Sequence, residues 1–400
     1  MRIKAFNMME KLGMRIAVLK PGLLFLAIFS TTAGANDQYP KLSLTVDAYH
    51  KSNSTALGGR HEGFGLSHTE LNAQHRIGHL FDVTVTAIGE ANEEETEFSI
   101  EEAYLRSLSL PAGVTLKGGR FLSDIGYLNG QHPHADSFVE RPLLYRAFLG
   151  GHYYDDGLSL SLVMPTDLYW RVGAEAFTGD ELGEFDHNRQ IGTWTLSTKI
   201  GGDIGTSQSW QTGFSYMRNR MLNQTDTSHE HEHEEEQEHG HADAHDHHGH
   251  SHGAEYYGKH MYLADIVWKW SPQGNNRDQQ LSLSGEYIRV TDPNQYASNS
   301  QYHEGWYGSA VYRFSPQWSM GIRHGKVDLQ LGHDDHFHEG SLAESSVMLA
   351  WNPTHTQTLR LQYSHQDVQK DWNETFTESS DNALTLQYII SFGAHDAHAF

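Results

Sequence analysis

The sequence contains no cysteine. Disulfide bonds and thiolate metal ligands are therefore excluded, so any metal site must use imidazole or carboxylate groups. A long hydrophobic run is also missing. The longest one, GLLFLAIFS at residues 22–30, has about half of the ~20 residues that a membrane-spanning helix needs. A protein that crosses a membrane with helices is thereby excluded.

Positive charge is scarce as well. The chain has 28 lysine and arginine residues against 51 aspartate and glutamate residues, which gives a formal net charge of −23. Nucleic acid is therefore not an expected partner, whereas cations are. No G-x-S-x-G, H-E-x-x-H or Walker pattern is present, and no spacing suggests a Ser/His/Asp set. An enzyme is not expected.

The first residues have the layout of a secretory signal peptide. Basic residues precede the apolar run at 22–30, and small residues follow in the order Ala33-Gly34-Ala35. This order predicts a signal peptide over residues 1–35, cleaved after Ala35. The remaining residues, 36–400, would then form an exported, Cys-free chain that is rich in tyrosine and tryptophan. Such a composition is typical of a bacterial envelope protein.

Apolar and polar residues alternate from residue 41 almost to the end. In the clearest example, Leu384, Leu386 and Tyr388 alternate with Thr385 and Gln387. A period of two indicates strands with one apolar and one polar face. About sixteen such segments, each roughly ten residues long, predict an all-β fold: a transmembrane antiparallel β-barrel. Counts of fourteen or eighteen strands stay open, because residues 65–122 are weakly patterned.

The connections between these segments alternate in length. Short turns at one end and long loops at the other are typical of an outer-membrane barrel, with the long loops outside the cell. The sequence thus predicts a protein of the Gram-negative outer membrane, in contact with lipid, and leaves open whether the barrel forms a homotrimer. A secreted β-sandwich or β-helix is the alternative. The predicted turns include 110–113, 201–208 and 315–318, and the predicted loops include 51–64, 123–155, 223–256, 332–340 and 370–381.

One predicted loop carries an unusual tract. Residues 229–253 contain ten histidines and eight carboxylates, with no apolar residue larger than alanine. The tract cannot join a core, and it lies in the loop 223–256, between the predicted ninth and tenth strands. Imidazole and carboxylate together suit Zn²⁺, with nickel and copper as alternatives, and the His-x-His spacing predicts several labile sites. The predicted ligands are His229, His231, His233, His239, His241, His245, His247, His248, His250 and His252.

Two smaller groups of histidines are weaker candidates, because charged loop tips are common. The motif GHDDHFHEG offers His333, His336 and His338 in the predicted loop 332–340. The predicted loop 123–155 offers His132, His134 and Asp136. Histidines on strands are expected to be wall or interface residues rather than ligands; they are His68, His75, His260, His324 and His365.

The motifs FVERPL (138–143) and DDGLSL (155–160) lie within a stretch, 118–180, that resembles a known family. The family consists of zinc-regulated proteobacterial outer-membrane proteins with a His-rich loop, often labelled TonB-dependent receptors although they lack a plug. The two motifs are also distantly similar to phosphate-selective porins. The resemblance implies a sixteen-stranded porin-like barrel and a role in zinc acquisition. It carries over no metal site beyond the His-rich tract itself.

These observations predict a porin-like channel that gathers Zn²⁺ on the His-rich loop and lets it diffuse into the periplasm. Two alternatives stay open: a surface metal-binding receptor with a closed barrel as its anchor, and a porin for small anions. The second rests on basic residues that alternation points into the lumen, against four acidic ones. The basic residues are Lys117, Arg171, Lys199, Lys269, Arg313, Arg323 and Arg360, and the acidic ones are Asp47, Glu175, Asp265 and Glu286.

Overall fold

The computed structural model describes residues 39–91, 96–182, 191–221, 256–294, 296–333, 336–369 and 381–393. The predicted signal peptide and the ten histidines of the tract at 229–253 lie outside these ranges. Within them, no helix combines the length and the apolar character that crossing a membrane requires.

Sixteen antiparallel strands form one closed barrel, in which every strand pairs with its neighbours in the chain and β1 pairs with β16. The predicted all-β barrel and its strand count are confirmed. The strands are β1 Lys41–Lys51, β2 Gly63–Ile77, β3 Phe81–Ala91, β4 Thr96–Ser107, β5 Val114–Leu122, β6 Tyr154–Val163, β7 Tyr169–Phe177, β8 Thr193–Ile204, β9 Gln208–Asn219, β10 His260–Trp270, β11 Gln280–Thr291, β12 Tyr302–Arg313, β13 Trp318–His333, β14 His336–Thr354, β15 Gln357–Gln369 and β16 Asn382–Gly393.

The alternation seen in the sequence separates an apolar outer face from a polar lumen. On β16, Leu384 and Leu386 are 48% and 46% exposed, whereas Thr385 and Gln387, which alternate with them, are buried. The outer face of the other strands is similarly apolar and exposed, for example at Ile322. Exposing so wide an apolar belt to water is unfavourable, whereas contact with the hydrocarbon core of a membrane is favourable. The belt therefore faces lipid.

The two ends of the barrel differ as predicted. At one end, turns of a few residues join the strands, and Trp318 and Trp351 stack there across β13 and β14 with ring centroids 6.0 Å apart. Aromatic residues at this level are typical of a membrane interface. The turn predicted at 201–208 is shorter, at 205–207, because β8 and β9 continue their pairing up to Ile204 and Gln208.

The predicted loop at 332–340 is wrong. The strands β13 and β14 extend through it as a hairpin, in which His333 is opposite His336 and Leu331 is opposite His338. Strand pairing satisfies backbone hydrogen bonds whatever the side-chain charge, so a charged sequence did not end the ladder. His336 and His338 are exposed near the tip of this hairpin. The three histidines therefore lie on strands rather than in a flexible loop.

Candidate functional site

The connection between β5 and β6 folds into the barrel, and we call residues 123–153 the inward segment. It contains a short 3-10 helix at Pro133–Ala135 and one α-helix, α1 (Leu143–Leu149), whose seven side chains are all buried. A Cβ atom added at Gly305 of β12 would lie 3.0 Å from side-chain atoms of both Leu144 and Phe148, so the helix packs closely on the wall. The wall beneath α1 is apolar rather than polar; it includes Leu263, Ile288, Val290, Val327, Leu329 and Leu342.

Glu286 of β11 fixes the turn that precedes α1. Its carboxylate accepts hydrogen bonds from the hydroxyls of Tyr145 and Tyr307, at 2.8 and 2.9 Å, and from the backbone N–H of Tyr127 at 2.8 Å. A buried carboxylate is stable only when such donors replace water. Together with the apolar packing of α1, these bonds hold the inward segment against β11 and β12.

A buried ionic network, the Arg/Lys anchor, fastens the segment to β1, β13 and β14. It consists of Lys51, Glu140, Arg146, Arg323 and Glu344. Glu140 of the segment contacts Lys51 Nζ at 2.7 Å, and Arg146 of α1 contacts Glu344 at 2.6 Å. Every side chain in these two pairs is at most 7% exposed. Burial by itself raises the pKa of Glu140, but Lys51 and Arg146 outweigh burial and lower it to about 2.

On the side of β2, β3 and β4, the segment meets histidines and glutamates instead. Two β-bulges prepare this part of the wall. The register of β2 against β3 shifts at His68, and that of β4 against β3 shifts at Glu101. A bulge turns consecutive side chains to one face, and indeed Ser67 is buried beside His68 and Glu102 beside Glu101.

The His/Glu cluster is the group formed by His68, Glu70, Glu101, Glu102, His132, His134 and His152. Four ligand atoms, one each from His68, Glu70, Glu101 and His132, all lie within 4.8 Å of one another. His132 Nδ1 is 2.9 Å from Glu101 and 3.3 Å from Glu70, and His68 Nε2 is 3.2 Å from Glu101. His134 contacts Glu70 at 3.2 Å, and His152 contacts Glu101 at 2.5 Å.

Sequence reasoning located part of this cluster and missed the rest. The sequence predicts His132 and His134 as candidate metal ligands and His68 as a wall or interface residue. It does not single out Glu101. The bulges explain the omission, because each one shifts the alternation and leaves residues 65–122 weakly patterned. Asp136, the third member of the predicted group, does not join the cluster but contacts Arg141 Nε at 2.9 Å. The sequence does contain one signal for these residues: His68 and Glu101 each stand where the alternation of apolar and polar residues breaks.

The structure places the connection that carries the ten tract histidines between β9 and β10, as predicted. The tract histidines themselves are not among the described residues. His68 of the cluster lies on β2. The weaker candidates His333, His336 and His338 belong to β13 and β14. None of the three is in the group of four convergent ligands found among the described residues.

Four of the basic residues predicted to point into the lumen form ion pairs or hydrogen bonds with other groups of the protein. Arg171 and Lys199 both contact Asp124 of the inward segment, at 2.8 and 2.6 Å. Arg323 contacts Glu344 at 3.2 Å, and Arg360 donates to the carbonyl oxygen of Asp136 at 2.7 Å. These residues point into the lumen, as alternation predicted. These contacts are with carboxylates of the protein or with the backbone of the inward segment, rather than with open lumen.

Comparison with known proteins agrees with this architecture. An uncharacterised protein of Aquifex aeolicus (strain VF5) is 26% identical over 364 residues, covering 84% of this chain and 70% of that protein. The trimer form of OmpT from Vibrio cholerae has a TM-score of 0.52 at 6% identity, covering 88% of this chain and 99% of that one. The outer-membrane channel DcaP of Acinetobacter baumannii has a TM-score of 0.51 at 12% identity, covering 88% and 96%. No protein-family model matches the chain.

Identities this low establish the fold alone. The fold is a closed sixteen-stranded antiparallel barrel of the outer-membrane porin type, with its longest described connection folded into the lumen. Because its outer face is an apolar belt and its strands resemble those of Gram-negative outer-membrane proteins, the barrel is an outer-membrane protein.

Proposed function

We propose that this protein is a channel, not an enzyme, and that divalent metal ions, with Zn²⁺ first among them, are its substrate. The observation that supports the channel assignment is a group of partly exposed charges inside the barrel, where Arg171 of β7 and Lys199 of β8 contact Asp124 of the inward segment. Asp124, Arg171 and Lys199 are 18%, 30% and 11% exposed although they form ion pairs. A barrel that served only as an anchor would not need these charges, because replacing ion pairs inside a protein with packed apolar side chains is often neutral or stabilising.

The sequence supports metal as the substrate. The formal charge of −23 attracts cations to the mouth of the barrel, and the tract at 229–253 would raise their local concentration there. Neutral imidazole and carboxylate are ligands for Zn²⁺, and nickel and copper are the alternatives. Ions released from such labile ligands would enter the lumen by diffusion.

The anion alternative is weakened by the contacts of the basic residues. Arg171 and Lys199 share the carboxylate of Asp124, and Arg323 contacts Glu344, so these three positive charges are at least partly neutralised within the lumen. Basic side chains that already neutralise carboxylates contribute little net attraction for a free anion. We therefore expect weak cation selectivity rather than strong anion selectivity.

A planar bilayer experiment tests the proposal. Purified full-length protein should give discrete conductance steps, and a Zn²⁺ gradient should give a reversal potential of cation sign. Asp124→Asn should shift that potential toward anions, because it leaves Arg171 and Lys199 without their carboxylate partner. Asp278→Asn, at an exposed turn, is the matched control and should not shift it. A barrel that inserts without passing current would instead be the closed anchor of a metal-binding receptor.

We also propose that the barrel assembles as a homotrimer. The similarity to a porin-type barrel solved in a trimer form supports this. Mass photometry of the detergent-solubilised protein should give three times the mass of the chain. A monomer mass under the same conditions would contradict the proposal.

A further inference from the structure

The His/Glu cluster has more negative charge than its contacts within the protein offset. Glu70 and Glu101 are 6% and 0% exposed, and Glu102 beside them is 6% exposed. Among the described residues, the ion pairs of Glu70 and Glu101 are with imidazoles, not with lysine or arginine. Several carboxylates so far from water need a cationic partner to remain charged.

The polar atoms of the cluster are close together but poorly aligned for hydrogen bonds with one another. His68 Nε2, His132 Nδ1 and both carboxylate oxygens of Glu101 are buried and lack a hydrogen bond of acceptable geometry. Glu70 Oε2 and His152 Nε2 share this property. Buried polar atoms are rarely left in this state, so their convergence calls for a ligand between them.

The spacing of these atoms fits a metal ion. In a tetrahedral zinc site the ligands lie roughly 2.0–2.2 Å from the ion, so neighbouring ligands are about 3.3–3.6 Å apart. The contacts between His68 and Glu101 and between His132 and Glu70 are 3.2 and 3.3 Å, and that between His132 and Glu101 is 2.9 Å. The remaining pairs among the four ligand atoms lie within 4.8 Å, so side-chain shifts of up to about an ångström would bring all four to the ion.

A cavity lies beside the cluster. This cavity, of about 180 Å³, is lined by His68 and His152 together with Gly59 and Arg60 of the connection between β1 and β2. That connection lies at the end of the barrel with the long loops. The cavity thus lies between His68 and the exposed backbone of Gly59, and the guanidinium groups of Arg60, Arg141 and Arg146 also line it.

We infer that His68, Glu70, Glu101 and His132 form a buried site for a divalent transition-metal ion, with His134 and His152 as adjacent ligands. Two imidazoles with two carboxylates suit Zn²⁺ and its first-row neighbours, whereas Mg²⁺ and Ca²⁺ prefer oxygen ligands alone. The bound ion joins the inward segment, through His132, to β2 and β4. The inference deepens the proposed function, and its transport role rests on that function, but binding itself can be measured without conduction.

Zinc binding to the full-length protein in detergent tests the site. In the presence of nitrilotriacetate, wild type and His324→Ala, which changes an exposed histidine of β13, should retain one more ion per chain than the cluster variants. The cluster variants His68→Ala and Glu101→Gln should raise the Kd of that ion at least tenfold, because even second-shell changes cost about 10- to 100-fold. The tract at 229–253 is intact in all four proteins, so its contribution cancels. Millimolar Mg²⁺ or Ca²⁺ should not displace the ion.

A zinc-edge anomalous map of soaked crystals provides a measurement that needs no variant. The expected peak lies about 2.0–2.2 Å from His68 Nε2, His132 Nδ1 and a Glu101 oxygen. Absence of that peak, equal retention by the cluster variants, or displacement by Ca²⁺ would each overturn the site. A barrel that shows the peak but passes no current would refute the proposed channel and leave the site standing. A conducting barrel without the peak would refute the site and leave the proposed channel standing.

Discussion

The inward segment is held by two kinds of attachment that differ in their cations. In the Arg/Lys anchor, Glu140 and Glu344 face the ammonium group of Lys51 and the guanidinium group of Arg146. In the His/Glu cluster, the carboxylates face imidazoles, which are charged or neutral according to what else is bound. The Arg/Lys anchor is therefore complete within the protein, whereas the His/Glu cluster requires a cation from solution.

The pKa of His132 illustrates the second case. Burial lowers it, but the nearby carboxylates of Glu101, Glu102 and Glu70 outweigh burial and raise it well above 6.5. Without a metal ion, a proton on His132 would thus supply part of the missing positive charge. A metal ion and this proton compete for the same nitrogen, so the cluster exchanges its cation while the Arg/Lys anchor does not.

The largest expected effect comes from breaking the Arg/Lys anchor. Arg146→Ala leaves Glu140 and Glu344 buried with fewer partners, which should lower the free energy of unfolding by roughly 3–5 kcal/mol. Urea unfolding in lipid vesicles, followed by tryptophan fluorescence, measures the change. Arg76→Ala removes an exposed contact with Asp82 and should change the free energy of unfolding by less than about 1 kcal/mol. Equal effects of the two substitutions would contradict the role of the anchor.

Zinc should stabilise the barrel through the His/Glu cluster alone. At a free Zn²⁺ concentration about 100 times the Kd, the free energy of unfolding should rise by about 2.7 kcal/mol in wild type. His132→Ala should abolish this gain, and His324→Ala should keep it. Ions on the tract at 229–253 bind the folded and unfolded chain alike, because the tract cannot join a core, and they add no stability. A gain that survives His132→Ala would refute the assignment.

Acid should weaken the Arg/Lys anchor in a defined window. The folded pKa of Glu140 is about 2 and its ordinary value is 4.5, so the unfolded state binds the proton first as pH falls. The stabilisation is therefore complete above about pH 4.5 and is lost as the pH falls toward 2. The difference in unfolding midpoint between wild type and Glu140→Gln should be constant above that window and should shrink within it. A difference that grows on acidification would mean that the pKa of Glu140 is raised instead.

The smallest effect on stability should come from deleting residues 228–253. The deleted protein should still form a heat-modifiable barrel with an unchanged unfolding midpoint, because the tract contributes no apolar side chain larger than alanine. Its capacity for labile zinc should fall, whereas the tight ion of the His/Glu cluster should remain. Failure of the deleted protein to assemble in membranes would show that the tract is structural.

The sequence by itself determined the barrel. Residues such as Leu384 and Thr385 alternate because a strand turns successive side chains to opposite faces, and in a membrane those faces meet lipid and lumen. The pattern is local, so it can be read without knowing which strands pair. The lengths of the connections are local too, which is why the position of the tract between β9 and β10 was predictable.

Only the tertiary structure decided where the connection 123–155 goes and what it meets. The inward path of residues 123–153 brings His132 beside His68 and Glu101, which are distant from it in the chain, and no periodicity encodes such a meeting. The bulges at His68 and Glu101 further hid these residues, because one extra residue inverts the alternation that sequence reasoning relies on. The extension of β13 and β14 through 332–340 was likewise decided by backbone pairing between strands, to which side-chain charge contributes little.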